Sequence, residues 1–352
     1  MAKLLFITQK VDKDDDVLGV YHRWIEELSK KIETISVICL YRGRSELPVN
    51  VRVFSLGKES GQSRIKYVSR FFKYIWFLRE DYNTVFVHMN PIYILLGGLF
   101  WKASNKRIFL WYNHPLGNLL ARVGIFLANN VFCTSPYSFS AKYRKTVLVP
   151  VGIDTVFFKK DSTVSKKRNR ILYLGRISPI KHIDCLIKAT ELLNNQGIDF
   201  EVLIIGSPAS DADKQYDQKL KIMAGSPVNS DRVVFEKSVA NHKTPAIYNG
   251  NGVFVNLTPT GSFDKTILEA MACESLIMVS NKSLERFLTP ELINWCMFKE
   301  GDVTDLTKKL SSLLSLPNDL REKMGRELRM IVVKNHNLDS LIKKLISCFL
   351  LA

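Results

Sequence analysis

Short apolar runs alternate along the whole chain with stretches whose apolar positions recur at helical spacing. The runs, bounded by polar or turn residues, read as buried strands and the periodic stretches as helices. Their regular alternation is the signature of parallel βαβ units. In the first half, strands are expected at 3–8, 35–40, 51–55, 84–88, 107–112, 130–133 and 146–149, with helices near 20–31, 64–80, 92–103 and 117–128. Residues 149–169 (VPVGIDTVFFKKDSTVSKKRN) turn polar and charged and read as an interdomain connection. The pattern then restarts. Strands are expected at 170–175, 200–206, 233–235, 252–257 and 276–280, helices at 183–196, 213–224, 244–249 and 265–273, and further helices to the end. Two open, doubly wound α/β sheets in tandem are the simplest architecture, and ligands of such sheets bind beyond the carboxyl ends of the strands.

Composition narrows this picture. A chain of 352 residues, 46% hydrophobic and with only 18 Gly and 12 Pro, is folded rather than disordered and too long for one typical core. No apolar run reaches the roughly 18 residues a bilayer span needs. The start, MAKLLFITQK, reads as a first strand and not as a signal peptide. Cysteines 39, 133, 185, 273, 296 and 348 are scattered, with no CxxC pair and no Cys/His cluster at metal spacing. That is the pattern of buried thiols in a reducing compartment, so a cytoplasmic protein without a metal is expected. The net charge of +16 is uneven: residues 1–150 carry 22 basic and 11 acidic side chains, residues 151–352 carry 28 and 23. A basic first half points to an acidic partner, whether a phosphorylated substrate, an anionic membrane surface or nucleic acid. Against nucleic acid, no helix-turn-helix, zinc-finger, RNP or KH signature is present.

Two constellations follow strands. The first, GRISPIK, holds Gly175 for a tight turn, Arg176 with a planar fork and Lys181 with a point charge. Both cations can converge on a diphosphate, although a turn with two solvated basic residues would read the same way. The second, TPTGSFDKTILEAMAC (258–273), is a loop running into a helix whose N-terminus suits an anion. Glu269, about one turn into that helix, can accept hydrogen bonds from the vicinal hydroxyls of a ribose or can simply favour the positive end of the helix dipole.

Together with EVLIIGSP (201–208), the stretch 233–273, NHNLDSLIKKL (335–345) and VPVGIDTVFF (149–158), these blocks resemble glycosyltransferase family 4, the retaining nucleotide-sugar transferases of the GT-B fold. The resemblance covers the second half in order and implies two Rossmann-like domains facing across a cleft. The first, residues 1–150, would bind the acceptor and the second, 151–335, the nucleotide sugar, with residues 336–352 a helix packing back on the first. It further implies that Arg176 and Lys181 bind the donor diphosphate and that Glu269 holds the ribose. Ser262, Phe263, Asp264, Lys265 and Thr266 would offer backbone amides, and Val239 would lie at the base pocket. One departure stands out. The first Glu of the family's E-x7-E motif falls at position 261, which is Gly. Asp264 could supply the missing carboxylate or cap the helix that starts at Lys265. His182 stands where the family usually has Gly.

The first half resembles the family more weakly. Gly19, between strand and helix, is similar to the glycine facing the donor phosphates, and His114, after a strand, to the histidine near the transferred sugar; an ordinary turn and packing are the alternatives. His88 is a second strand-end histidine. Asp14, Asp15 and Asp16 mimic a metal-binding DxD but read as a solvated loop, because Arg176 and Lys181 already provide charge neutralisation. Residues 64–79 (RIKYVSRFFKYIWFLR) put Tyr67, Phe71, Tyr74 and Leu78 on one stripe and Lys66, Arg70 and Lys73 on another. Between Arg64 and Arg79 lies either an interfacial helix on an anionic membrane or a surface helix packed on the first sheet; both can hold at once. The expectation is a retaining hexosyltransferase using a UDP- or GDP-sugar as co-substrate, with no tightly bound cofactor. Its acceptor would be a lipid-linked or cell-surface saccharide, reached at the inner face of a membrane. A nucleotide-sugar epimerase or hydrolase of the same fold, and an inactive membrane- or nucleic-acid-binding module, are the rivals.

Overall fold

The computed structural model describes residues 3–226, 231–261 and 263–351. It divides into two compact units, Met1–Gly152 with Ala240–His242 and Leu338–Ala352, and Ile153–Val239 with Lys243–Asn337. In the first unit, β1 (Lys3–Val11), β2 (Thr34–Arg42), β3 (Val51–Ser55), β4 (Thr84–His88), β5 (Arg107–Trp111), β6 (Asn130–Cys133) and β7 (Thr146–Leu148) form one sheet. Its order is β3-β2-β1-β4-β5-β6-β7 and every pairing is parallel. Helices α1 (Val20–Ser29), α2 (Arg64–Phe77), α3 (Ile92–Ala103) and α4 (Leu119–Leu127) link the strands.

Strand side chains alternate between faces. Leu4 and Phe6 of β1 therefore join the core under α1, while Leu5 and Ile7 join the core under α2, α3 and α4. With both faces covered, the strand is apolar along most of its length. It runs beyond the expected 3–8 because Lys10 and Val11 still pair with Tyr41 and Arg42 of β2. Helix α4 starts at Leu119 rather than 117, since the Asn118 side chain accepts the Ala121 N–H at 2.9 Å and caps it there.

The second unit has β8 (Lys167–Leu174), β9 (Glu201–Ile205), β10 (Val233–Glu236), β11 (Asn251–Asn256) and β12 (Leu276–Val279), ordered β10-β9-β8-β11-β12 and again parallel. Its helices are α5 (Ile183–Asn195), α6 (Asp211–Ala224), α7 (Thr244–Gly250), α8 (Lys265–Ala272), α9 (Pro290–Cys296), α10 (Val303–Leu314) and α11 (Asn318–Asn335). Chain direction across each sheet reverses at its first strand, β1 or β8, so a crevice opens beyond the carboxyl ends there. The approach is tight in the second unit. A Cβ on Gly206, after β9, would lie 2.0 Å from the Gly175 carbonyl oxygen after β8, so only glycine lets these two loops meet.

Helix α12 (Leu338–Leu351) belongs to the first unit. Leu338, Leu341, Ile342, Leu345 and Phe349 recur at helical spacing and are buried in its core, Phe349 lying 4.9 Å from Phe109 and 5.6 Å from Phe86 between ring centroids. Gly152, with φ +82°, makes room for it: a Cβ there would meet Leu341 at 2.4 Å and Trp24 at 3.1 Å. Among the described residues no helix is long and apolar enough to cross a membrane.

Candidate functional site

The loops after β8 and β11 meet at the second unit's crevice. Gly175 N–H bonds the Ile205 carbonyl at 3.0 Å, and the buried Tyr173 hydroxyl donates to the Arg176 carbonyl at 2.9 Å. These bonds pin the turn and leave the Arg176 side chain exposed. A 3-10 turn, Pro179–Lys181, passes through left-handed His182 (φ +47°) into α5. It carries the Lys181 ammonium to the other loop, 2.6 Å from Asp264 Oδ2 and 3.0 Å from Thr258 Oγ1. An ammonium has three N–H donors, and these bonds use two of them among the described residues.

Asp264 is the hub. Its Oδ2 accepts from Lys181, from Asn256 Nδ2 at 3.1 Å and from Thr258 Oγ1 at 3.2 Å; its Oδ1 accepts from Thr266 Oγ1 at 2.8 Å and Thr266 N–H at 3.3 Å. Burial opposes its charge, but the Lys181 ammonium and these hydrogen bonds outweigh it and hold the carboxyl below the usual range. Asp264 is thus the cap of α8 and the counter-ion of Lys181 at once. Because Thr266 N–H already serves that cap, it is not among the amides turned toward a ligand. Glu269, expected within reach at the helix mouth, is only 2% exposed, with its Oε2 accepting from the Tyr248 hydroxyl at 3.0 Å. Burial and the neighbouring carboxylate push the Tyr248 phenol well above its ordinary value.

The remaining expected residues are distributed as follows. Phe263 turns inward, its ring 5.2 Å from His336 and 6.1 Å from Phe287, and Lys265 is the first residue of α8. Ser262 lies outside the described residues. Val239 follows β10, next to Ser238, whose N–H and hydroxyl bond Ser207 Oγ at 3.1 and 3.0 Å. Gly19 and His114 belong to the first unit. Gly19 is the N-cap residue just before α1, where a Cβ would meet the Asp15 carbonyl at 2.5 Å. His114 is exposed after β5, its Nδ1 2.9 Å from Leu116 O and 3.0 Å from Leu116 N. His88 is buried in an aromatic cage, 4.0 Å from the Tyr21 ring.

Two sequence readings need correction. The acidic run is not simply solvated: Asp15 is half-buried, pairs with Lys10 at 2.5 Å and takes the N–H groups of Val17 and Leu18 on Oδ1, which shapes the loop before Gly19. The absence of a Cys/His cluster also fails locally, since His182, Asp184 and Cys185 bring ligand-type atoms within 4.8 Å of one another. Asp184 there already accepts from the Tyr216 hydroxyl at 2.7 Å, and burial raises the Cys185 thiol, so both work against a metal. Sequence reasoning passed over Asn256, Tyr173, Tyr248 and His336. A lone Asn closing the apolar strand GVFVN was a readable signal. His336 is 1% exposed, has no hydrogen-bond partner on either ring nitrogen among the described residues, and is pushed down to about 3 by burial and by Arg286.

Residues 154–330 match the family described as glycosyl transferases group 1. No curated protein sequence matches the chain. Among solved structures, Anabaena HepE in complex with UDP and glucose aligns with a TM-score of 0.79 at 14% identity, covering 99% of both chains. Sucrose-phosphate synthase from Thermosynechococcus elongatus gives 0.78 at 16% identity over 98% of both chains. A glycosyltransferase from Rickettsia africae gives 0.76 at 13%, over 99% of this chain and 98% of that one. These likenesses establish the GT-B fold, an α/β architecture of two parallel-sheet domains.

Proposed function

Since the chain belongs to the glycosyl transferases group 1 family, and is therefore a glycosyltransferase, we propose that it transfers a hexose from a nucleoside diphosphate to an acceptor hydroxyl with retention of configuration. The observation that carries this reading is the Lys181–Thr258–Asp264 cluster at the mouth of α8, with Arg176 exposed beside the same crevice. A carboxylate alone would repel a diphosphate. Lys181 offsets Asp264, and Arg176 adds an unburied fork, so the site favours an anion whose charge grows. The co-substrate is a UDP- or GDP-sugar; HepE, with UDP-glucose bound, supports UDP.

In the proposed reaction the acceptor oxygen bonds the anomeric carbon as the bond from that carbon to the diphosphate oxygen breaks. The acceptor proton passes to the departing diphosphate, which leaves as the nucleoside diphosphate, and no protein base is required. Arg176 and Lys181 stabilise the charge that develops on the leaving group. Glu269 would hold the ribose, Val239 the base, and Gly19 and His114 the phosphate and sugar from the first unit. The acceptor is a lipid-linked saccharide, in line with the basic first half and with the exposed face of α2 described below.

Incubation with radiolabelled UDP- and GDP-sugars and membrane extract tests this. Label in the lipid fraction is expected, and should vanish with Arg176→Ala. Conversion of free nucleotide sugar alone would instead identify an epimerase or hydrolase, and no conversion of any kind a binding module.

A further inference from the structure

A recess of about 840 Å³ opens in the first unit at the carboxyl ends of β2, β3 and β4, a volume typical of small-molecule sites. Leu40 and Leu56 form its floor, Tyr67, Val68 and Phe71 of α2 one wall, and Tyr93 with Leu96 of α3 another. Lys58 and Arg64 are the charged residues of its lining; both are exposed, and neither has an ion-pair partner among the described residues. The apolar surface does not stop at the rim. From Val68 it continues along α2 through Ile65, Phe72 and Trp76, which are 82%, 44% and 60% exposed, and onto Leu95 and Leu99 of α3. The Trp76 ring lies 5.9 Å from that of Phe100, so the two helices present one surface. A contiguous run of large apolar side chains in water marks a binding surface. A mostly apolar trough, with Gln62, Ser63 and Asn90 as its uncharged polar members and two cations as the only charged groups of its lining among the described residues, fits an amphiphile, with hydrocarbon inside and phosphate at the rim.

We propose that this recess binds the hydrocarbon chain of a lipid phosphate, the anchored end of the acceptor, with Lys58 and Arg64 receiving the phosphate. This rests on the reading above that the acceptor is lipid-linked, and adds where and by which groups the lipid is held. The catalytic loops of the second unit take no part in it.

Farnesyl phosphate, farnesol and isopentenyl phosphate, each below its micellar concentration and without vesicles, serve as probes in equilibrium dialysis. Farnesyl phosphate should bind one per chain, at least about tenfold tighter than isopentenyl phosphate, because it buries two further isoprene units. Leu96→Trp, which fills the trough, should weaken it by about tenfold or more. A Lys58→Gln/Arg64→Gln double variant should weaken farnesyl phosphate and leave farnesol unchanged. Val68→Glu, at an exposed position, repeats the test should Leu96→Trp fail to fold, folding being judged by the circular-dichroism spectrum and the midpoint of thermal unfolding. Equal affinity for the long and short phosphates, or undiminished binding in both Leu96→Trp and Val68→Glu, overturns the proposal. So does sugar transfer to a long-chain lipid-linked acceptor with the same kcat/KM in wild type and Leu96→Trp; that result leaves the transferase reading standing. Lipid binding without sugar transfer would have the opposite meaning.

Discussion

Arg176 and Lys181 carry the same charge into the same crevice but are held differently, and their variants should differ accordingly. Arg176 is exposed, so Arg176→Ala should lower kcat by about 10²–10³ with an unchanged melting temperature. Lys181→Met should lose as much turnover and also melt earlier. It strands the Asp264 carboxylate, 17% exposed, at a cost of about 1–3 kcal/mol. The double variant Lys181→Met/Asp264→Asn, which removes the stranded charge but also one of the acceptor oxygens, should recover part of the melting temperature and none of the rate; calorimetry beside steady-state kinetics separates the two. If both single variants turn over normally, the diphosphate assignment is wrong. His336 makes a separate, pH-dependent contribution. Burial drives its folded value down to about 3, while the unfolded chain titrates near 6.5. The unfolded state therefore binds the extra proton between these values. Stability is fully present above pH 6.5 and falls by about 1.4 kcal/mol per unit as the pH drops toward 3. His336→Gln should flatten the melting temperature against pH over that window, and an identical slope would remove His336 as the cause.

Among the elements, α12 makes the sharpest prediction. Phe349 is fully buried against Phe86, Phe109 and Phe132, so Phe349→Ala should cost about 3–5 kcal/mol, read as a shifted denaturation midpoint. A variant as stable as the parent would mean that the helix is not part of that core. The strands and most helices were legible beforehand because a parallel sheet covered on both faces writes uninterrupted apolar runs into the chain. The cations were legible too, since Arg176 and Lys181 flank a glycine turn directly after a strand. Helix α2 shows where such reading stops. Its stripe of Phe71 and Leu78 does pack on the sheet, but Ile65, Phe72 and Trp76 form another apolar stripe that stays in water, and periodicity cannot tell a buried stripe from an exposed one. Asp264 was ambiguous for a related reason. Cap and counter-ion differ only in what reaches the carboxylate from 83 residues away in sequence.

At the scale of the molecule, the excess charge and the exposed α2 surface predict association with anionic bilayers. Lys66 and Lys73 are exposed beside the apolar stripe, and each near-surface charge contributes about 1 kcal/mol. Sedimentation with phosphatidylglycerol vesicles should pull down the protein, less so at high salt. A Lys66→Glu/Lys73→Glu variant should partition about tenfold or more weakly, and Trp76→Ala should weaken binding independently of salt. Equal pelleting with zwitterionic vesicles would sink the electrostatic part. The allocation of α12 carries one more consequence, for biosynthesis. On the ribosome, residues 3–148 emerge long before Leu338–Phe349, the segment that plugs the aromatic heart they leave open. The early-made half must wait, incomplete, while the later half is translated. A nascent chain stalled or cleaved before residue 338 should therefore be a substrate for chaperones and proteases rather than a free-standing first domain.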